Sequence, residues 1–217
     1  MTQRTGFRAG RALAAAMVMF AGLAAAPRGE AAQDPVAVIT ELGNQAIRVL
    51  GPSVPRAARE ARFRQLIESD FDLPDIARFV LGPYGHQLTP PQQQEFLTLF
   101  RESLVQAYSE RLAAYAGQPF HVTGSRQNGA ETIVASVVEQ PGGKPIALDW
   151  HLVARDGRDL IEDVEIDGVS MKLTQRKTFA GIVARNGGHA AALLAALRQN
   201  LSADGASATG SSIAPTR

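Results

Sequence analysis

The sequence predicts an α+β domain in which helices pack on one face of a curved antiparallel sheet. Three observations lead there. Apolar residues recur at three- and four-residue spacing up to about residue 117, the period falls to two between Phe120 and Ile166, and it becomes helical again over about 174–200. A chain of 217 residues with this pattern and no internal repeat makes one domain of ordinary size, or one domain with a helical appendage, with a sizeable core.

Residues 34–50 form the first helix, with Val38, Leu42, Ile47 and Leu50 on one side and Gly51-Pro52 stopping it. Pro55 suits the opening turn of a second, which carries Ala58, Ala61, Phe63, Leu66 and Ile67 to about Ser69. Asp72 is the N-cap of a third over 73–81, and Gly82-Pro83 ends it. Thr89 caps the longest helix, with Pro90 at its first position and Gln92 placed to complete a capping box. Its stripe is Phe96, Leu99, Phe100, Leu104, Tyr108 and Leu112, widened by Leu97, Val105 and Tyr115. Gly117-Gln118-Pro119 closes the helical half.

Phe120 and Val122 make a short strand, Asn128-Gly129 a tight turn, and residues 132–138 a β-branched strand. After Pro141-Gly142-Gly143, Ile146, Leu148, Trp150 and Leu152 alternate with Ala147, Asp149, His151 and Val153. Asp156-Gly157 turns the chain again, and Val164 and Ile166 alternate with Asp163, Glu165 and Asp167. The result is a meander with one apolar face. A helix carrying Phe179, Ile182 and Val183 follows, then a break at Asn186-Gly187-Gly188 and a last helix through Leu193, Leu194 and Leu197 to about 200. Residues 201–217 are small and polar and read as a disordered tail.

The first residues look like an export signal. Arg4, Arg8 and Arg11 precede the uncharged run LAAAMVMFAGLAAA, too short for the roughly 20 residues that span a bilayer. Residues 1–26 therefore read as a signal peptide, with cleavage as late as 31, and the expected location is the periplasm in soluble form. The formal charge of +1 belongs to this precursor; removing three of the 22 basic residues while keeping all 21 acidic ones leaves −2. Such a chain has no general electrostatic reason to bind nucleic acid. The local cluster Arg48, Arg56, Arg59, Arg62 and Arg64 reads as a solvated or protein-docking helix face. With no cysteine, thiol chemistry, disulfides and Cys-type metal sites are excluded.

Candidate chemistry is sparse. Asp149 and His151 share one strand face, Asp163 lies on the next strand and Ser170 follows, which supplies the parts of a Ser-His-Asp set without a G-x-S-x-G elbow. The bland reading is a solvent-facing strand. His86, His121 and His189 have no metal-ligand spacing, and Asp159, Glu162, Asp163, Glu165 and Asp167 lack the register of a calcium loop and read as an acidic sheet face. No enzyme and no cofactor is expected. The informative inventory is apolar: Phe71, Phe79, Phe96, Phe100, Tyr108, Trp150 and Phe179 face the junction of helices and sheet. The periodicity leaves open whether they fill that space or line a cavity suited to a lipidic ligand.

Several fragments, in order, resemble the MlaC/Ttg2D family of periplasmic lipid-binding proteins, also labelled toluene-tolerance or ABC-transporter auxiliary components. Residues 71–82 (FDLPDIARFVLG) resemble its opening signature; Thr89-Pro90 with Phe96, Phe100 and Tyr108 its long helix; and residues 163–170 (DVEIDGVS) its D-V-x-V-E-G-V-S strand, with Asp167 where Glu is usual. Arg176 and Phe179 match its R-x-x-F, and Gly187-Gly188 with Leu193 and Leu197 its closing helix. Tyr84 is followed by Gly85-His86, where the family often has Trp-Arg.

The resemblance covers about 34–199 and implies an NTF2-like sheet and helices enclosing an apolar pocket for acyl chains. It also implies a single domain over 34–200 that acts as a monomeric carrier. Such a carrier shuttles phospholipid between an outer-membrane lipoprotein-porin complex and an inner-membrane MCE-protein/ABC transporter, maintaining outer-membrane lipid asymmetry. A sister group accompanies hopanoid synthesis, so a hopanoid-like cargo stays open. Carried over, Phe96, Phe100, Leu104 and Tyr108 form one wall, while alternation adds Val134, Leu148, Trp150, Val164, Ile166, Val169 and Met171, with Phe71, Phe79 and Phe179 completing the candidate lining. The competing readings are an envelope adaptor that binds no lipid and an NTF2-like enzyme.

Overall fold

Each helix starts where the sequence supplies a partner for its orphan N–H groups. The computed structural model describes residues 34–49, 51, 53–113 and 117–210, side chains at 110, 112, 113 and 204–210 excepted. Helix α1 spans Pro35–Val49, with Asp34 Oδ1 accepting from Val36 N at 3.1 Å. Helix α2 is Arg56–Asp70, entered through Pro55. Helix α3 is Leu73–Leu81; Asp72 Oδ1 accepts from Asp75 N at 3.2 Å, and Gly82 ends the helix at φ 53°. A 3₁₀ turn over Gly82–Gln87 leads to α4, Pro90–Ala113. There Gln92 Oε1 reaches back to Thr89 N at 2.9 Å, the side-chain half of a capping box.

Strands β1 (Phe120–Asn128), β2 (Glu131–Val138), β3 (Ile146–Arg155), β4 (Arg158–Ile166) and β5 (Val169–Ser170) form one antiparallel sheet in the order β1-β2-β3-β4-β5. The sheet is open: β1 and β5 are its edges and do not pair to close a barrel. Strand β1 is longer than the short strand expected from Phe120 and Val122. A register shift between Val122 and Gly124 breaks its alternation, and the strand beyond it is exposed. Helices α5 (Met171–Arg185) and α6 (Ala191–Gly210) complete the chain. Helix α6 continues past residue 200, the expected boundary of the polar tail. The expected signal peptide, 1–26 or 1–31, and the end of that tail, 211–217, lie outside the described residues, as does Tyr115 and the side chain of Leu112.

Two apolar clusters divide the interior. One joins α3, α4, α5 and α6: the Phe96 and Phe100 rings stack at 5.8 Å, and Phe179 meets them edge-on at 5.8 and 5.9 Å. The other joins α1, α2 and α4 to the sheet through Ile39, Ile67, Val105, Val134, Leu152 and Ile161. Phe71 packs against both. An isolated bridge pairs Phe71 with Ile161, and Asp72 N donates to Ile161 O at 2.9 Å, so the α2–α3 corner is stitched to β4.

Polar pairs fix α2 on α4. The Arg64 guanidinium donates to both Glu102 oxygens, at 3.1 and 2.7 Å, and Arg101 meets Glu68 at 2.8 Å. Those hydrogen bonds from Arg64 hold the Glu102 carboxyl below its usual range and raise Arg64 in turn. The arginine cluster is thus largely spent within the fold. Arg48 pairs with Glu41, Arg56 with Glu60, and Arg59 is buried with its Nη1 on Val54 O at 2.7 Å, leaving exposed Arg62 as the residue nearest the docking face expected from sequence.

Candidate functional site

A cavity of about 220 Å³ lies between the first two helices, α4 and the inner face of the sheet. Leu42, Gly43 and Ala46 of α1 and Phe63, Leu66 and Ile67 of α2 make one wall; Phe71, Leu73 and Ile76 make its end. Phe100, Leu104 and Tyr108 of α4 face Trp150, Val164 and Ile166 of the sheet. The lining is apolar except along one edge, where Glu162, Asp163, Lys172 and Gln175 stand beside Met171. An engineered apolar cavity of about 150 Å³ stays dry and admits benzene, so this larger one has room for hydrocarbon.

Burial shows why this space is not simply core. Leu152 and Ile161, on the inner face, are fully buried, whereas Trp150, Val164, Ile166 and Met171 remain only half-buried. Trp150 is held in place: its Nε1 donates to Ser136 Oγ at 2.8 Å and Phe120 meets its ring edge-on at 6.5 Å. Phe120 in turn fits against α1 only because position 43 is glycine, since a Cβ there would strike the ring.

Eight of the fourteen candidate residues line the cavity: Phe71, Phe100, Leu104, Tyr108, Trp150, Val164, Ile166 and Met171. The other six do not. Phe96 and Phe179 belong to the packed cluster with α5 and α6, Phe79 packs against that cluster, and Val134 is fully buried beneath the sheet face. Leu148 is half-buried nearer the strand end, and Val169 is 54% exposed at the start of β5. The sequence reading missed the α1 and α2 wall. Its available signal was the run Leu42, Gly43, Ala46, small residues on an inward helix face. Glu162 gave no signal, because a register shift beside His151 and Leu152 turns both Glu162 and Asp163 toward the cavity. The acidic run is therefore not one continuous solvent face.

Asp163 is 5% exposed and fully engaged. It accepts from Ser170 Oγ, from Val164 N at 2.9 Å and from Lys172 N at 3.0 Å. Ser170 Oγ accepts from Leu173 N at 3.1 Å as the cap of α5, so Asp163 and Ser170 together anchor that helix on β4. His151 is not with them. Its Nδ1 lies 3.1 Å from Glu131 and its Nε2 3.4 Å from Glu165, so the Ser-His-Asp parts are never assembled. Among the described residues no group of three or more His, Asp or Glu is placed to hold a metal, and no helix is long and apolar enough to cross a membrane.

On the rim, Lys172 Nζ bonds Glu162 at 2.8 Å and sits 5.0 Å from the centre of the Phe79 ring, while the Arg176 guanidinium lies 4.9 Å from the same ring.

A family model described as MlaC protein matches residues 43–199, which takes in every strand and all of the cavity lining except Leu42. Among solved structures, a phospholipid-binding protein from Ralstonia solanacearum, determined in complex with a phospholipid, is similar in fold. Its TM-score is 0.67 at 21% identity, over 78% of this chain and 98% of that one.

Proposed function

The chain belongs to the MlaC family, and from that premise we propose that it is a non-enzymatic lipid carrier that holds phospholipid acyl chains in the cavity. The supporting observation is the cavity itself: apolar on every side but one, with the polar residues gathered on a single edge. That is the lining an amphiphile requires. The similar fold of a protein that was crystallised with a phospholipid supports the same reading, and an adaptor without a ligand would need that interior filled.

Binding rests on apolar transfer, each buried CH₂ contributing roughly 0.8 kcal/mol. At about 220 Å³ the cavity is smaller than the roughly 300–1,000 Å³ of sites for drug-sized ligands. Two full acyl chains therefore require the wall to yield. The wall that gives is α1, which packs on β1, β2 and α2 alone among the principal contacts, while the α3–α6 side is closed by interlocked aromatic rings. The export signal read at residues 1–26 supports a periplasmic location for the carrier. There it collects lipid at one membrane complex and delivers it at another, the outer-membrane lipoprotein-porin and inner-membrane MCE/ABC assemblies being the partners that the family resemblance implies.

Trp150 is the single tryptophan and lines the cavity, so it reports occupancy directly. Delipidated mature protein mixed with vesicles of phospholipid brominated along the acyl chain should show quenched Trp150 emission, and mass spectrometry should recover bound lipid. An unquenched tryptophan with no recovered lipid refutes the reading. Recovery of a polycyclic lipid from the native host in place of phospholipid would assign the hopanoid-like cargo.

A further inference from the structure

One helical turn from the polar edge of the cavity stands a cation that no carboxylate neutralises among the described residues. Glu162, Asp163 and Lys172 line that edge, and Arg176 lies one turn beyond Lys172 on α5. Asp163 spends its oxygens on Ser170 and two backbone N–H groups, and Glu162 is paired with Lys172 at 2.8 Å. Arg176 is different: among the described residues no carboxylate pairs with it, and its contact is the Phe79 ring at 4.9 Å.

Its position is nonetheless well defined. The half-buried guanidinium lies over the ring, and a Cβ at Gly82 would come within 3.0 Å of its Nε and Nη2, so the backbone of the α3 terminus forms its other support. Lys172 and Arg176 are four residues apart on α5, hence one turn apart on the same face, and both approach the same ring. A like-charge pair at this spacing destabilises a helix, and Lys172 also lies in the first turn, where the helix field disfavours a cation. Glu162 already offsets the charge of Lys172, so an anion set between Lys172 and Arg176 chiefly relieves Arg176. Lys172 and Gln175 line the cavity, which places that anion at its polar edge.

We propose that Arg176, supported by Phe79 and Gly82 and assisted by Lys172, is a clamp for the phosphate of the bound amphiphile, receiving the headgroup while the acyl chains enter beside Met171. A planar guanidinium backed by an aromatic ring presents its N–H edge to two phosphate oxygens, as an ammonium cannot. The clamp rests on the lipid-carrier reading, but it adds a claim that this reading does not need: the apolar cavity alone would hold a tail with any head.

The test compares uptake by full-length mature protein from vesicles containing either phosphatidylglycerol or diacylglycerol, which has the same tails and no phosphate. Arg176→Gln should lower phosphatidylglycerol uptake about tenfold and leave diacylglycerol uptake unchanged, with Arg176→Lys intermediate. Phe79→Leu, which keeps an apolar group but removes the ring, should shift the ratio of the two lipids in the same direction. Equal uptake of both lipids before and after Arg176→Gln overturns the clamp while the carrier reading stands. If the unmutated protein takes up neither lipid, both fall. Inorganic phosphate alone separates the remaining source: Arg176-dependent binding of it, with phosphatidylglycerol uptake indifferent to Arg176→Gln, would make this a free-phosphate site and overturn the headgroup assignment.

Discussion

Ala46→Phe tests whether the space between α1 and the sheet is empty. Ala46 is half-buried on α1 and lines the cavity, so the new ring enters a volume of about 220 Å³, larger than the roughly 150 Å³ that suffices for benzene. Burying a phenylalanine side chain contributes about 1.5–3 kcal/mol. Against this stand the weaker helix propensity of Phe, about 0.5 kcal/mol, and the rotamer entropy of the fixed ring, of order 0.5–1 kcal/mol. The net is a stabilisation of about 1 kcal/mol, or roughly 2–4 °C in Tm for a domain of this size. In a filled core the same substitution would cost about 1–3 kcal/mol, so the sign decides. The assay is thermal unfolding of delipidated proteins, because bound lipid raises the apparent stability by mass action, combined with bromolipid quenching of Trp150. The expected result is a raised Tm with lipid uptake lost. A Tm lowered by several degrees with uptake intact would refute the assignment of this space as the binding cavity.

Gly43→Ala, one turn away, should do the opposite: helix propensity gains about 1 kcal/mol, but the Cβ drives Phe120 into Trp150 at a cost of about 1–3 kcal/mol, and urea unfolding should show a net loss. Asp163→Asn removes acceptors from Ser170 and the start of α5; a loss of about 2–3 kcal/mol is expected by the same measurement. Phe96→Ala should cost about 3–5 kcal/mol yet leave lipid uptake per folded molecule unchanged, because Phe96 is core and not lining. The Arg64–Glu102 pair predicts an acid response. Since its folded-state carboxyl lies below the unfolded value of about 4.3, its stabilisation is present above that value and disappears as pH falls through the folded one. Glu102→Gln should therefore be less stable by about 1 kcal/mol at pH 7, and the difference should shrink as pH falls below the unfolded carboxylate range; a difference that did not change with acidification would contradict the assignment.

The parts of the fold legible in the sequence are those governed by local chemistry. Asp72 and the Thr89–Gln92 pair satisfy helix N–H groups within three residues of themselves, so their types and spacing announce α3 and α4. Strand β1 was legible only at its start, Phe120 and Val122, because the bulge at Val122 and Gly124 removes the alternation that would reveal the rest. Helix α6 outran its expected end because small polar residues without a proline before Pro215 do not stop a helix already docked through Leu193, Leu194 and Leu197. For the site, periodicity reports which side chains point inward, not whether the interior is full. Phe96 and Phe100 share one stripe and stack on each other, yet only Phe100 reaches the cavity. That distinction depends on α5 and α6, which cover one flank of α4 and leave the other to α1 and α2.

The two halves of the interior then have different energetic duties. Residual cavity volume costs about 24 cal/mol per Å³ where surrounding atoms cannot collapse, so about 220 Å³ left empty forgoes about 5 kcal/mol, as much as the lower end of total domain stability. The interlocked Phe96, Phe100 and Phe179 rings supply a packed half that tolerates this deficit. On the proposed reading the ligand restores it: at about 0.8 kcal/mol per CH₂, six or so buried methylenes are worth the same about 5 kcal/mol. An occupied carrier is consequently much more stable than an empty one, and release into water would forfeit that energy with nothing in return. Delivery must therefore be coupled to a receiving apolar phase, either a bilayer or the channel of a partner complex, presented to the cavity mouth before the acyl chains leave.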